Sequence, residues 1–134
     1  SREDFFKIAN FLQVPSYISL MSALAWHEVT TQAQRDYFES ISLKRSARFD
    51  KHGAIFHYYK FQKKYYFGFQ KEAGVFIASK EKAFADAIYL YSFGKYKLDL
   101  DSLDFRKFDK AKLISILKVF PKKTKEIAQK LCKI

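Results

Sequence analysis

Apolar residues change their period along this chain, and each change marks an element. Phe5, Phe6, Ile8, Phe11 and Leu12 give residues 1–14 a helix-like amphipathic opening, which Pro15 ends. Ser16 is a good helix N-cap, because its hydroxyl can accept from free backbone N–H groups. Tyr17, Leu20, Met21 and Leu24 follow at helical spacing, so a helix is predicted to run to Trp26 or His27. Residues 30–35 are polar and read as a loop with one helical turn. Residues 37–43 then alternate, with Tyr37, Glu39, Ile41 and Leu43 opposite Phe38, Ser40 and Ser42, which is the period of a strand. Residues 44–51 read as a basic connection, and Asp50-Lys51-His52-Gly53 as a turn. A second strand is predicted over 54–61, a third over 65–70 after Gln62-Lys63-Lys64, and a short fourth over 75–78. Ser79 caps a helix in which Ala83, Phe84, Ala87, Ile88 and Tyr91 share a face, with Glu81 placed early where it suits the helix dipole, and Gly94 ends it. Residues 95–109 look irregular and anchored by Leu98, Leu100, Leu103, Phe105 and Phe108. Helices follow over 110–120 and 122–133, separated by Pro121.

With no internal repeat and no long linker, residues 1–134 form one domain of α+β class. The predicted architecture is a mostly antiparallel sheet of about four strands, packed by N-terminal and C-terminal helices. A chain of 134 residues is long enough for a real core. Aromatic residues make up 19%, with 15 Phe and 9 Tyr, which fills that core or, where rings stay exposed, forms a recognition surface.

Charge narrows the function classes. Lys and Arg number 25 against 14 acids, a formal +11, so a polyanionic partner is favoured: nucleic acid, an acidic protein face or an anionic surface. Two basic groups stand out. Lys44, Arg45, Arg48 and Lys51 continue into Lys60, Lys63 and Lys64 among aromatic residues, the interleaving that a nucleic-acid backbone surface uses. Lys122, Lys123, Lys125, Lys130 and Lys133 lie on the last helix, and either group would equally serve as a solvated rim.

Catalytic patterns are weak. His52 and His57 lack the cysteines or carboxylates of a zinc site, and His27 at a helix end suits packing or a dipole contact. Gly53, Gly68, Gly74 and Gly94 are scattered singly and make no phosphate loop. Asp99, Asp101, Asp104 and Asp109 lack the ligand order of a calcium loop, although a metal-dependent nuclease would need acids of this kind. Cys132 allows no internal disulfide and has no base beside it, and a free thiol suits a cytoplasmic setting. No stretch approaches a membrane span. The expectation is a protein with no enzymatic activity, no metal, no cofactor and no membrane partner.

The order of several blocks resembles one family. Pro15-Ser16-Tyr17-Ile18-Ser19-Leu20 with Ser22-Ala23-Leu24 resembles the opening signature of the AbiEi-like antitoxins of type IV toxin–antitoxin (abortive infection) systems. Ile41-Ser42, Arg48 and Gly53 look like that family's first hairpin, Phe56 and Tyr58 like its return strand, and Tyr66-Phe67-Gly68-Phe69 like its aromatic-Gly-aromatic stretch. Gly74-Val75, Ile77-Ala78-Ser79, Glu81-Lys82-Ala83 and Asp86 resemble its most recognisable block, and a helix ending in Phe120-Pro121 completes a match over about residues 8–131. Lys80 stands where the family has a proline, which changes only the preset of the first helical turn. The resemblance implies a cytoplasmic bacterial antitoxin and transcriptional regulator. Its partners would be a cognate nucleotidyltransferase-like toxin of AbiEii type and operator DNA, the latter bound mainly through an N-terminal winged helix-turn-helix that this chain lacks. It also implies that residues 74–86 are structural, with Asp86 paired to a basic neighbour.

Overall fold

The computed structural model describes residues 1–32 and 34–134. The chain opens in helix α1 (Arg2–Leu12), where the Ser1 hydroxyl accepts the Asp4 amide and the Asp4 side chain reaches back to the cap. Strand β1 (Ser16–Ile18) comes next, then helix α2 (Leu20–Trp26). Here the structure corrects the predicted N-cap at Ser16. Ser16, Tyr17 and Ile18 are buried on both faces of a central strand, and a fully covered strand shows no alternation to read.

Strands β2 (Tyr37–Ser42), β4 (Ala54–Lys60) and β6 (Val75–Ala78) lie close to their predicted spans. Two strands were not foreseen as they stand. Strand β3 (Ala47–Lys51) occupies most of what reads as a basic connection, because an edge strand keeps half of its residues in solvent. Strand β5 (Phe69–Glu72) starts later than predicted, after a 3-10 turn at Lys63–Tyr65.

The sheet has six strands in the order β3-β4-β2-β1-β6-β5, two more than the about four expected, and three of its five pairings are antiparallel, so the expectation of a mostly antiparallel sheet is only roughly met. It is mixed. β1–β2, β3–β4 and β5–β6 pair antiparallel, whereas β2–β4 and β1–β6 pair parallel. The β1–β6 pair is parallel where β1 inserts between β2 and β6, and the β2–β4 pair because β3 lies outside β4 at the sheet edge, choices that no local turn signal encodes. The coarser expectation of one α+β fold holds.

Helix α1 covers one face. Phe5 stacks on Phe38 at 5.0 Å, Phe6 meets Phe38 and Trp26, and the Tyr58 hydroxyl donates to the Ala9 carbonyl. The other face is covered at its β1–β6 end by helix α3 (Lys80–Ser92), whose Ser79 cap accepts the Lys82 amide. Residues 81–88 of α3 are buried on every side, as expected of a helix enclosed by other elements. Helices α4 (Lys110–Leu117) and α5 (Lys122–Cys132) complete that layer, α5 through Thr124, Ala128 and Cys132 at four-residue spacing. Among the described residues no helix is long and apolar enough to cross a membrane.

Candidate functional site

The second face of the sheet is open over β4 and β3. In register, Glu39 lies beside His57, Ile41 beside Tyr59 and Arg48 across from His57, so their side chains share this face. The Tyr37 hydroxyl is hydrogen-bonded to His57 Nδ1 at 2.7 Å, and the Arg48 guanidinium sits 5.7 Å from the centre of the Tyr37 ring. His57 stacks on Tyr59 at 4.2 Å, and Tyr59 meets Tyr96 edge-on at 5.7 Å. The result is a continuous half-buried aromatic strip that begins at a basic strand edge.

The strip ends in a cleft of about 650 Å3, with Tyr37, Glu39, Tyr59 and Tyr96 inside and exposed Arg35, Lys97 and Asp99 along its walls. Glu39 is only 3% exposed. The Tyr96 hydroxyl donates to its Oε1 at 2.6 Å and the Met21 amide to the same atom at 3.2 Å. Among the described residues, Oε2 has no hydrogen-bond partner. Burial pushes the Glu39 carboxyl up to about 7, and the two donors hold it back in part. The same burial lowers the His57 imidazole and, with the Glu39 charge, raises Tyr96 and Tyr59. A carboxyl that lines a cleft, has one oxygen without a hydrogen-bond partner among the described residues and is pushed by burial toward neutrality is the strongest chemical feature of the described residues.

A second polar group is wholly internal. Lys82 Nζ donates to Asp86 Oδ1 at 2.7 Å, to the Tyr65 carbonyl at 2.7 Å and to the Tyr17 hydroxyl at 2.9 Å. Asp86 Oδ2 accepts from Tyr17 and Ser19, both at 2.8 Å. Both charged side chains are fully buried, and the rings of Phe67, Tyr17, Phe61 and Phe120 lie 4.5–5.7 Å from Nζ. Burial raises the Asp86 carboxyl and lowers the Lys82 ammonium, each opposed by the other's charge. With both charged side chains fully buried and their polar atoms satisfied, this group fixes the packing of α3 on β1. The expected basic neighbour of Asp86 is therefore Lys82, one helical turn earlier.

Gly68 makes that packing possible. Its φ is +78°, and a Cβ there would stand 2.6 Å from Lys82 Cγ. Gly68→Ala combines a left-handed backbone with overpacking against a boxed-in side chain, so the urea midpoint should fall by the equivalent of about 2 kcal/mol.

All seven basic residues predicted to bind are exposed, but the structure does not gather them into one patch. Lys44 and Arg45 lie in the β2–β3 connection, and the Lys60 amide donates to the Ser46 hydroxyl, so these three belong to one end of the sheet. Lys63 and Lys64 follow in the 3-10 turn there. Lys51, paired with Ala54, is at the opposite end of β3, and Arg48 lies between them on the aromatic face. The lysines of α5 are exposed except for the half-buried Lys125. The acidic run is used locally: Asp104 binds Arg106, Asp109 caps α4, and Asp99 lines the cleft. His27 ends α2 and its Nε2 is hydrogen-bonded to the Ala78 carbonyl at 2.8 Å.

The cleft was not foreseen, although Asp99 of its lining belongs to the acidic run singled out in the sequence. Only the alternation that puts Glu39 on the Tyr37 and Ile41 side of its strand hinted at the rest. No family model, curated protein or solved structure matches the chain.

Proposed function

We propose that the chain is an AbiEi-like antitoxin domain that counteracts a nucleotidyltransferase-like toxin of AbiEii type and assists regulation of its own operon. What supports the reading is the way its separate blocks depend on one another. Tyr17 and Ser19 from the opening signature and Lys82 and Asp86 from the block at residues 74–86 come together in one buried network, with Gly68 from the aromatic stretch packed against Lys82, across 65–69 residues of sequence between Tyr17 or Ser19 and the α3 pair. The exposed basic end formed by Lys44, Arg45, Lys60, Lys63 and Lys64 supplies phosphate contacts that add to DNA affinity without reading sequence. The aromatic strip beside Arg48 favours a second reading, a nucleic-acid-binding regulator without a toxin partner.

Co-expression with a cognate nucleotidyltransferase-like toxin distinguishes the two. Growth restored by this chain supports the antitoxin. Arrest that persists with soluble, folded chain, and equally with a longer gene product carrying a DNA-binding segment, removes it. In either case, reversing Lys44, Arg45 and Lys60 to Glu is expected to weaken DNA binding and flatten its salt dependence by about 0.9 in log–log slope for each phosphate left without its cation.

A further inference from the structure

We propose that the cleft beside Glu39 binds a single unpaired nucleotide, with its base among the Tyr37, Tyr59 and Tyr96 rings, a base amine on Glu39 Oε2 and its phosphate at Arg35 and Lys97. The inference stands on the cleft itself and does not rest on the antitoxin reading.

The cavity, about 650 Å3, falls in the range of small-ligand sites, roughly 300–1,000 Å3. Its chemistry is divided. Inside are three phenol rings and a carboxyl whose Oε1 already receives two donors, leaving Oε2 as an acceptor within an almost fully buried side chain. The exposed walls carry two cations and the acid Asp99. Three rings and a carboxylate alone would suit an ammonium group. Arg35 and Lys97 on the walls, Arg48 behind Tyr37 and a net +11 oppose a cation and favour an anion. The ligand that satisfies both ends is flat and aromatic, donates a hydrogen bond at one extremity and is negatively charged at the other. A nucleotide has that layout, and Asp99 offers an acceptor to a sugar hydroxyl.

The geometry also sets a base preference. A carboxylate oxygen with no donor of its own accepts from the exocyclic amines of guanine, adenine and cytosine. Uracil presents only an N3–H between two carbonyls, which repel the carboxylate.

Titration of the folded chain at pH 8 with GTP, ATP, CTP and UTP, and in parallel with single-stranded RNA pentamers, tests the proposal, followed by NMR of the tyrosine rings and by calorimetry. The amine-bearing bases are expected to bind about tenfold more tightly than UTP. Tyr59→Ala should weaken every ligand, and Glu39→Gln should erase the base preference, with circular dichroism showing both variants folded. Saturable binding of the free nucleotides identifies those as the ligand, whereas binding of the pentamers alone identifies a strand threaded across the aromatic strip. The proposal is overturned if neither class binds up to about 1 mM, or if binding is unchanged in both folded variants.

Discussion

Asp86→Ala is expected to lower the unfolding free energy by about 3–5 kcal/mol at pH 6, because it leaves the Lys82 ammonium buried without its counter-charge. The same change takes the acceptor from the Tyr17 and Ser19 hydroxyls, which β1 and the start of α2 have no other way to satisfy. Lys82 can escape only by giving up its proton, and burial already lowers its affinity for one. The penalty should therefore shrink at pH 9, where the neutral amine is cheaper to form, and chemical denaturation at the two pH values reads this directly. Lys82→Met with Asp86→Leu should recover part of the loss. It should not recover all, since the Tyr65 carbonyl and the Tyr17 hydroxyl would lack partners. A cost for Asp86→Ala below about 1 kcal/mol would mean that water reaches the pair.

At Glu39 the sign is reversed, because here the natural residue is the destabilising one above neutrality. Its folded pKa of about 7 lies above the ordinary 4.5, so the native state holds the proton more tightly than the unfolded chain. The stability this contributes is fully present below about 4.5 and is lost as the pH rises through about 7. Across that window wild-type stability should decline by up to about 3 kcal/mol from this group. Glu39→Gln keeps an acceptor for Tyr96 and Met21 while removing the charge, so it should flatten the profile and stabilise the fold at pH 8 by about 1–3 kcal/mol. Arg35, Lys97, Asp99 and the Tyr37, Tyr59 and Tyr96 hydroxyls surround the group and remain unchanged in the variant. Thermal unfolding of the pair between pH 5 and 8 tests this, and parallel profiles for the two proteins would refute it. An acid buried at a cost to stability is easier to explain by binding than by packing.

These two sites differ in how far the sequence discloses them. Lys82 and Asp86 are four apart on a capped helix, a spacing that brings them together wherever the helix goes. Their partners Tyr17 and Ser19 sit in a three-residue strand and the residue just after it, and that strand, buried on both faces, has no period to detect. Glu39 shows its side of the sheet through alternation, yet Tyr96 reaches it from 57 residues further on in an irregular stretch with no pattern of its own. The helices starting at Lys80, Lys110 and Lys122 were legible because caps and breakers are local chemistry. The strand order was not, because β1 chooses neighbours on both sides that are distant in the chain. Of the basic residues, identity and exposure could be read, but their division between the two ends of β3 depends on that order.

The central place of β1 has a consequence for how the chain is made. At about 5–20 residues per second the first strand leaves the ribosome some seconds before β6 and α3 exist. During that interval β2 can cover one of its edges, but the other edge, and the hydroxyls of Tyr17 and Ser19, have only water to bind. Assembly therefore waits on a late event, the arrival of residues 75–86, and the first half of the chain spends its early life as an unfinished template. A nascent chain stalled before Val75 would present an open strand edge, and one stalled before Asp86 an uncovered hydrophobic sheet face, so slower translation through residues 75–86 is expected to lower the yield of folded chain.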